Sequence, residues 1–161
     1  MAHSSPAEAS ETISDWYKSL GLSGTAMNIE RRENEFQDEP GFRAFEFRPF
    51  ENRGFNLDIT VCDEGYWGMG TMHPEHSEIV YAWGFEGTSA SCKSLMRIAT
   101  EIACGRAEIV VPKFEFSKGV GWLELQPEML KSTRDLTRHD RVRPHKELGF
   151  FKRRLRSNAW K

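Results

Sequence analysis

The chain has 161 residues, 39% of them hydrophobic and 29% charged, which suits one compact domain with a substantial core and is short for two. No apolar run approaches the roughly 20 residues that span a bilayer, and the first residues lack the basic and apolar regions of a secretory signal. The three cysteines are odd in number and have no Cys-x-x-Cys spacing, which predicts a reducing, cytoplasmic setting.

The small net charge of −2 hides a strong asymmetry between the two parts of the chain. Residues 131–161 hold 11 Lys and Arg against 3 Asp and Glu, whereas the other 130 residues hold 11 basic and 21 acidic side chains. The tail either folds back on its acidic body, which its apolar residues favour, or forms a basic arm for nucleic acid or an anionic membrane. The candidate contact residues of such an arm are Arg138, Arg141, Arg143, Lys152, Arg153, Arg154 and Arg156.

The N-terminal part predicts a tail followed by a helix. Residues 1–9 are expected to be disordered, and residues 10–161 to form a single α+β domain. Ser10 is a suitable N-cap, the apolar residues at 13, 16, 17 and 20 have helical spacing, and Gly21 would end the helix. The polar, acidic stretch 23–41 predicts a loop, with a short strand near 27–29.

From residue 43 to 86 the apolar residues alternate, which predicts a four-stranded antiparallel meander. "FRAFEFRPF" and "FNLDITVC" form a hairpin around the turn 50–54, and "YWGMGTM" and "EIVYAWGFE" follow as strands. The apolar stripe of residues 88–104 predicts a helix that covers the aromatic face and ends at Gly105.

The last third predicts a second hairpin and then helices. "AEIVVPKFEF" and "VGWLEL" read as paired strands, and a basic helical segment, 127–161, follows. Pro127 suits the first turn of its first helix, "DRVRPH" is a break, and "KELGFFKRRLRS" predicts a basic amphipathic helix. Leu148, Phe151 and Leu155 would form the apolar stripe of this last helix. The predicted fold class is therefore α+β, an antiparallel sheet made of a four-stranded meander plus a later hairpin, with helices packed on one face.

The stretch "CDEGYWGMGTMHPEH", residues 62–76, gathers a thiol, carboxylates and two histidines, which are groups that bind zinc. A strand from 66 to 72 would hold Cys62 and its acidic neighbours about 20 Å from His73 and His76. Turns are naturally rich in Asp, Glu, Gly and Pro. We therefore interpret the stretch as two turns around a strand and expect no metal site.

The first hairpin carries the candidate binding residues Glu46, Arg48, Asn56 and Asp58 on its polar face. Alignment of the aromatic faces requires Phe47 opposite Leu57, which places Glu46 opposite Asp58 and Arg48 diagonal to Asp58. Paired carboxylates repel, and such a pair either acts as an acid and a base or forms a solvated face softened by the arginine. The solvated face is the favoured interpretation.

No phosphate-binding loop, dinucleotide fingerprint or nucleophile elbow occurs in the chain, so we expect no cofactor and assign no catalytic residue. The leading hypothesis is a non-enzymatic, cytoplasmic protein that binds another protein through an acidic surface, like an immunity protein, inhibitor or adaptor. One alternative is a small-ligand enzyme or carrier with an aromatic pocket between sheet and helix. A further alternative is a nucleic-acid binder that uses the basic tail.

Overall fold

The computed structural model describes the chain in ten stretches. These are residues 6–21, 29–35, 42–49, 54–62, 67–74, 79–84, 89–114, 121–127, 142–156 and 158–160. The predicted helix after Pro127 lies almost wholly outside them.

Two helices occur in these stretches, α1 (Pro6–Ser19) and α2 (Ser89–Ala103). Helix α1 begins four residues before the predicted cap Ser10, so part of the expected disordered tail is helical; proline suits a first helical turn because its missing N–H would have no partner there. The glycines predicted to end the helices, Gly21 and Gly105, both have φ of 70°, a left-handed conformation that other residues rarely adopt. Neither helix is long and apolar enough to cross a membrane.

The first sheet has five antiparallel strands in chain order. They are β1 (Ile29–Glu35), β2 (Phe42–Pro49), β3 (Asn56–Cys62), β4 (Trp67–Met72) and β5 (Ile79–Gly84). The predicted meander corresponds to β2–β5, and β1 adds an edge strand where we expected mostly a loop. Its sequence "IERRENE" lacks apolar alternation, and charged residues of this kind are common on edge strands because they discourage further pairing.

The second sheet has four strands in the order β8-β7-β6-β9. They are β6 (Glu108–Pro112), β7 (Trp122–Leu125), β8 (Val142–Pro144) and β9 (Lys152–Leu155). The predicted later hairpin is β6–β7, and its two flanking strands were not predicted; β8 pairs with β7 in parallel and the other pairs are antiparallel. The fold is mixed α+β with two helices and two mostly antiparallel sheets in the described residues.

The predicted basic helix that begins at residue 146 is wrong for residues 146–156, and the predicted break before it contains a strand at 142–144. Residues 142–156 contain β8, a non-helical connection and β9, which pairs with β6 so that Leu155 lies opposite Ile109. Leu155 is buried in the core, but Phe151 is exposed rather than docked. A free edge on β6 offers a ladder of backbone hydrogen bonds, and Gly149 weakens the competing helix.

One hydrophobic core joins both helices and both sheets. The predicted stripe of α2, Leu95, Ile98, Ala99 and Ile102, is fully buried. Trp160 also lies in this core: its ring stacks on Phe47 at a centroid distance of 5.7 Å, and its backbone N–H donates to the carbonyl of Ala103 over 2.9 Å. The end of the chain is thereby fixed between the first sheet and α2.

Candidate functional site

The polar face of the first hairpin has the geometry that the sequence predicted. Phe45 pairs with Ile59, Phe47 with Leu57, and Glu46 with Asp58. The register therefore brings the two carboxylates opposite one another. Each carboxylate side chain is between a third and a half exposed, so the cluster faces water.

Arg48 neutralises much of this cluster. Its Nη1 lies 2.5 Å from Asp58 Oδ1, and its Nη2 lies 4.0 Å from Glu46 Oε1. The same Nη1 donates to the carbonyls of Phe47 and Leu57, which holds the guanidinium over the strand pair. The negative charge of the predicted acidic surface is lower here, because Arg48 lies between the two carboxylates.

Asn56, the fourth predicted residue, lies opposite Met72 of β4 and is half-buried. Its carbonyl accepts a hydrogen bond of 2.9 Å from the buried Thr71 hydroxyl. This contact secures β4 against β3. A binding role for the four residues stays a prediction.

Strand β4 separates Cys62 from His73, as the sequence predicted for the stretch 62–76. His73 is half-buried and lies edge-on to Phe55, with ring centroids 5.8 Å apart. Asp63, Glu64 and His76 lie outside the described residues.

The predicted basic residues that the structure describes do not form one solvent-facing row. Arg143 lies on β8; Lys152, Arg153 and Arg154 lie on β9; and Arg156 follows that strand. Arg138 and Arg141 lie outside the described residues. Arg153 and Arg156 are exposed, whereas the other three are partly buried on the outer face of the second sheet, away from the core.

That outer face contains a second pair of opposed carboxylates. Glu108 of β6 lies directly opposite Glu124 of β7, and Arg154 lies diagonally across on β9, opposite Val110. Like charges placed opposite each other destabilise a sheet unless a cation joins them. The arrangement repeats that of Glu46, Asp58 and Arg48, but in a far less exposed place.

Arg154 joins the two carboxylates. Its Nε and Nη2 lie 2.9 and 2.8 Å from Glu124 Oε2, and Nε lies 3.0 Å from Glu108 Oε2. The Glu124 side chain is 0% exposed, and its Oε1 accepts from Trp122 Nε1 over 3.1 Å. Arg154 also donates to the carbonyl of Lys146. The cluster therefore ties β9 and the preceding connection to the middle of the sheet.

Glu108, Glu124 and His145 could together hold a metal ion, because their ligand atoms lie within 4.8 Å of one another. The His145 Nε2 lies 3.7 Å from Glu108 Oε2. A metal would compete with the guanidinium of Arg154, which already supplies positive charge to both carboxylates. The donor set thus fits an internal ion-pair network better than a metal centre.

Two cations lie over the ring of Trp122 on the same face. Arg143 Cζ is 4.3 Å and Lys152 Nζ is 5.4 Å from the ring. Trp122 is itself buried. Cation–π attraction of this kind holds β8 and β9 near β7.

The most exposed apolar feature of the described chain is a turn that precedes β9. Phe150 is 69% and Phe151 is 53% exposed, and they occupy the centre of a turn closed by the Lys152 N–H and the Gly149 carbonyl over 3.3 Å. Their rings meet edge-on at 5.3 Å, and Phe114 lies 5.8 Å from Phe150. We call Phe114, Phe150 and Phe151 the aromatic turn.

Cations surround the aromatic turn. Lys113 Nζ lies 4.8 Å from the Phe150 ring and 5.5 Å from the Phe114 ring. Lys152 and Arg153 follow the turn directly, and Lys146 is exposed just before it. The Lys113 N–H donates to the Phe151 carbonyl over 2.8 Å, which extends the β6–β9 pairing into the turn.

A cavity of about 460 Å³ lies where α1, α2 and the chain end meet. It is lined by Ser19, Leu20, Thr100, Ala103, Cys104, Ala159 and Trp160. Phe45, Phe47, Leu57 and Ile59 of the first sheet are fully buried, and a pocket between this sheet and α2 stays a prediction.

Arg106 follows the cavity residue Cys104 by two positions in the chain, and its side chain is bound to Glu101. Its Nη2 lies 2.6 Å from Glu101 Oε1, and Glu101 is buried on α2. The hydrogen bond to Glu101 raises the pKa of Arg106 above its usual value, with a smaller contribution from Cys104, although partial burial opposes this. The ion pair of Arg106 with Glu101 ties the residues that follow α2 to the helix.

No protein-family model, no curated protein and no solved structure matches this chain.

Proposed function

We propose that the protein is a non-enzymatic binding protein that holds a macromolecular partner on the aromatic turn and its surrounding cations. The observation that carries this proposal is the exposure of Phe150 and Phe151. They are the large apolar side chains that the described residues leave in water, and they stand side by side. Adjacent exposed apolar residues rimmed by polar groups are typical of interaction sites.

The turn is held in place before any partner arrives. Backbone hydrogen bonds join Lys113 to Phe151 and Lys152 to Gly149, and Arg154 anchors the following strand to Glu124. A site that is already ordered loses little conformational entropy on binding. An ordered turn of this kind is better suited to be a contact surface than a loose, solvent-exposed turn would be.

The first hairpin supports binding less well than the aromatic turn does. Its carboxylates Glu46 and Asp58 share Arg48, and the described side chains of that cluster are polar and partly solvated. We therefore prefer the aromatic turn as the binding surface. Protein binding by the first hairpin, through Glu46, Arg48, Asn56 and Asp58, stays a prediction.

The test compares the wild-type protein with a double variant, Phe150→Ser and Phe151→Ser. Both tagged proteins are incubated with native lysate, and the recovered protein and nucleic acid are quantified separately. We expect the double variant to melt like the wild type and to recover much less material. A Lys18→Ala variant, changed at an exposed position on α1, is the control and should behave like the wild type. Equal recovery by the double variant would remove the aromatic turn as the contact surface.

Small-ligand binding is a second candidate, and the cavity beside Trp160 favours it. Its volume of about 460 Å³ falls within the range of ligand pockets, and Leu20, Ala103 and Ala159 give it an apolar lining. A thermal-shift screen of small apolar compounds tests it. A compound that binds in the cavity should no longer raise the melting temperature when Ser19→Trp fills it. A compound that still raises the melting temperature of this variant binds elsewhere.

A further inference from the structure

We infer that the macromolecule held by the aromatic turn is a single-stranded nucleic acid; this inference rests on the proposed function. The physical basis is the interleaving of exposed rings with cations. Phe150 and Phe151 expose apolar ring surface, the Lys113 ammonium lies 4.8 Å from the Phe150 ring, and Lys152 and Arg153 follow the turn directly in the chain. Unpaired bases stack on aromatic rings, and the phosphates between them bind cations.

The charge around the turn matches a polyanion. Residues 142–160 contain six Lys and Arg and one acidic residue, Glu147. Arg154 and Arg156 are paired with Glu108, while Lys113, Lys146, Lys152 and Arg153 add positive charge next to the turn in the chain. Glu124 is fully buried beneath Arg154, so its carboxylate adds no exposed negative charge to this face.

The kinds of residue favour a nucleic acid over a protein partner. Lysine is depleted at the core of protein interfaces, and their energetic centres are rich in Trp, Tyr and Arg. Here a lysine ammonium lies 4.8 Å from the Phe150 ring. Lysine is a good phosphate ligand because its compact charge needs no fixed geometry.

An unpaired strand is favoured over a duplex. In a duplex the faces of the bases are stacked on one another, so exposed phenylalanine rings gain nothing from them. Stacking on a ring stabilises a complex by about 1–3 kcal/mol per base. Loss of two rings should thus weaken single-strand binding by at least about tenfold.

The experiment is a fluorescence-anisotropy titration of the full chain against labelled oligothymidylate of about 12 nucleotides, at about 50 mM salt. We expect saturable binding that falls steeply with added salt. Phe150→Ala with Phe151→Ala should weaken it about tenfold or more, and Lys113→Ala with Arg153→Ala should weaken it and reduce its salt dependence. Lys18→Ala is the control and should leave it unchanged.

Three results would overturn the inference. The first is no binding of the oligonucleotide while recovery from lysate still depends on Phe150 and Phe151; the proposed function then stands with a protein partner. The second is binding that the aromatic variants do not weaken, which indicates nonspecific attraction to the basic tail. The third is equal or tighter binding to a duplex of the same length, or to phosphatidylserine vesicles in place of the oligonucleotide.

Discussion

Replacement of Arg154 by Met tests how the second sheet is held together. Arg154 is the cation that joins Glu124 and Glu108, with three nitrogen–oxygen distances of 2.8–3.0 Å. Methionine keeps most of the apolar stem and removes the charge. The Glu124 carboxylate, 0% exposed, then keeps one hydrogen bond, from Trp122, and loses its counter-charge.

The expected loss of stability is large for a single substitution. Removing one partner of a buried ion pair costs about 3–5 kcal/mol, because the other charge is left buried and uncompensated. Arg154 is itself 18% exposed, so water can partly replace it, and the lower end of that range applies. We expect a loss of about 3 kcal/mol in the free energy of unfolding, or about 6–12 °C in melting temperature for a chain of this size.

Urea unfolding with a double-mutant cycle measures this interaction. Glu124→Gln combined with Arg154→Met should be more stable than Arg154→Met alone, because the fully buried charge of Glu124 is then absent. Arg156→Met is the matched control on the same segment: its side chain is 76% exposed and pairs with Glu108 at 3.1 Å, so its loss should cost less than about 1 kcal/mol. If Arg154→Met costs no more than Arg156→Met, or if the double variant shows simple additivity, the buried-pair explanation is wrong.

Four further substitutions, one of them a control, test contacts in the two sheets by urea unfolding. Trp160→Ala should cost about 3–5 kcal/mol because it empties a fully buried site, and a loss under 1 kcal/mol would mean that the chain end is not anchored. Gly54→Ala should cost about 1–3 kcal/mol, since a Cβ there would lie 2.5 Å from the Trp160 ring, whereas Gly149→Ala meets nothing within 4 Å and should change stability by less than about 0.5 kcal/mol. Arg48→Gln should cost under about 1 kcal/mol, less at high salt, because Asp58 is partly solvated; a larger, salt-independent loss would contradict this.

The first hairpin could be predicted to the residue because two independent signals agree. The apolar residues alternate strictly in both strands, and the polar link 50–54 fixes where they turn back. The register Glu46–Asp58 and the contact from Arg48 follow from these alone. Strand β1 was missed because an edge strand with "IERRENE" needs no apolar alternation to pair.

The helix predicted for the chain end failed because a helical stripe and a short strand can share the same apolar residues. Leu148, Phe151 and Leu155 have helical spacing by coincidence, whereas the free edge of β6 and the bond from Arg154 to Glu124 favour the strand. Such long-range pairing cannot be read from local periodicity. Gly149 was the local signal for a turn.

The cluster around Glu124 was also missed, although both of its carboxylates were in predicted strands. The sequence shows a single glutamate in each of two apolar strands, "EIVVP" and "WLEL". Aligning the apolar residues, as in the first hairpin, allows these two glutamates to lie opposite each other. The connection between the two strands is longer, however, so it does not fix the register. The partner cation, 30 residues further along the chain, lies on a strand that was not predicted.

The most direct test of the central claim, that the aromatic turn is the contact surface, is site-specific photo-cross-linking. A diazirine amino acid placed at Phe151 reacts with any molecule within reach, whether protein or nucleic acid, and the same amino acid placed at Lys18 of α1 serves as the control. Phe151 is 53% exposed, so the probe should not disturb the core. We expect a discrete cross-linked product from position 151, sensitive to nuclease, and none from position 18. Equal products from both positions, or a product from position 18 alone, would contradict it.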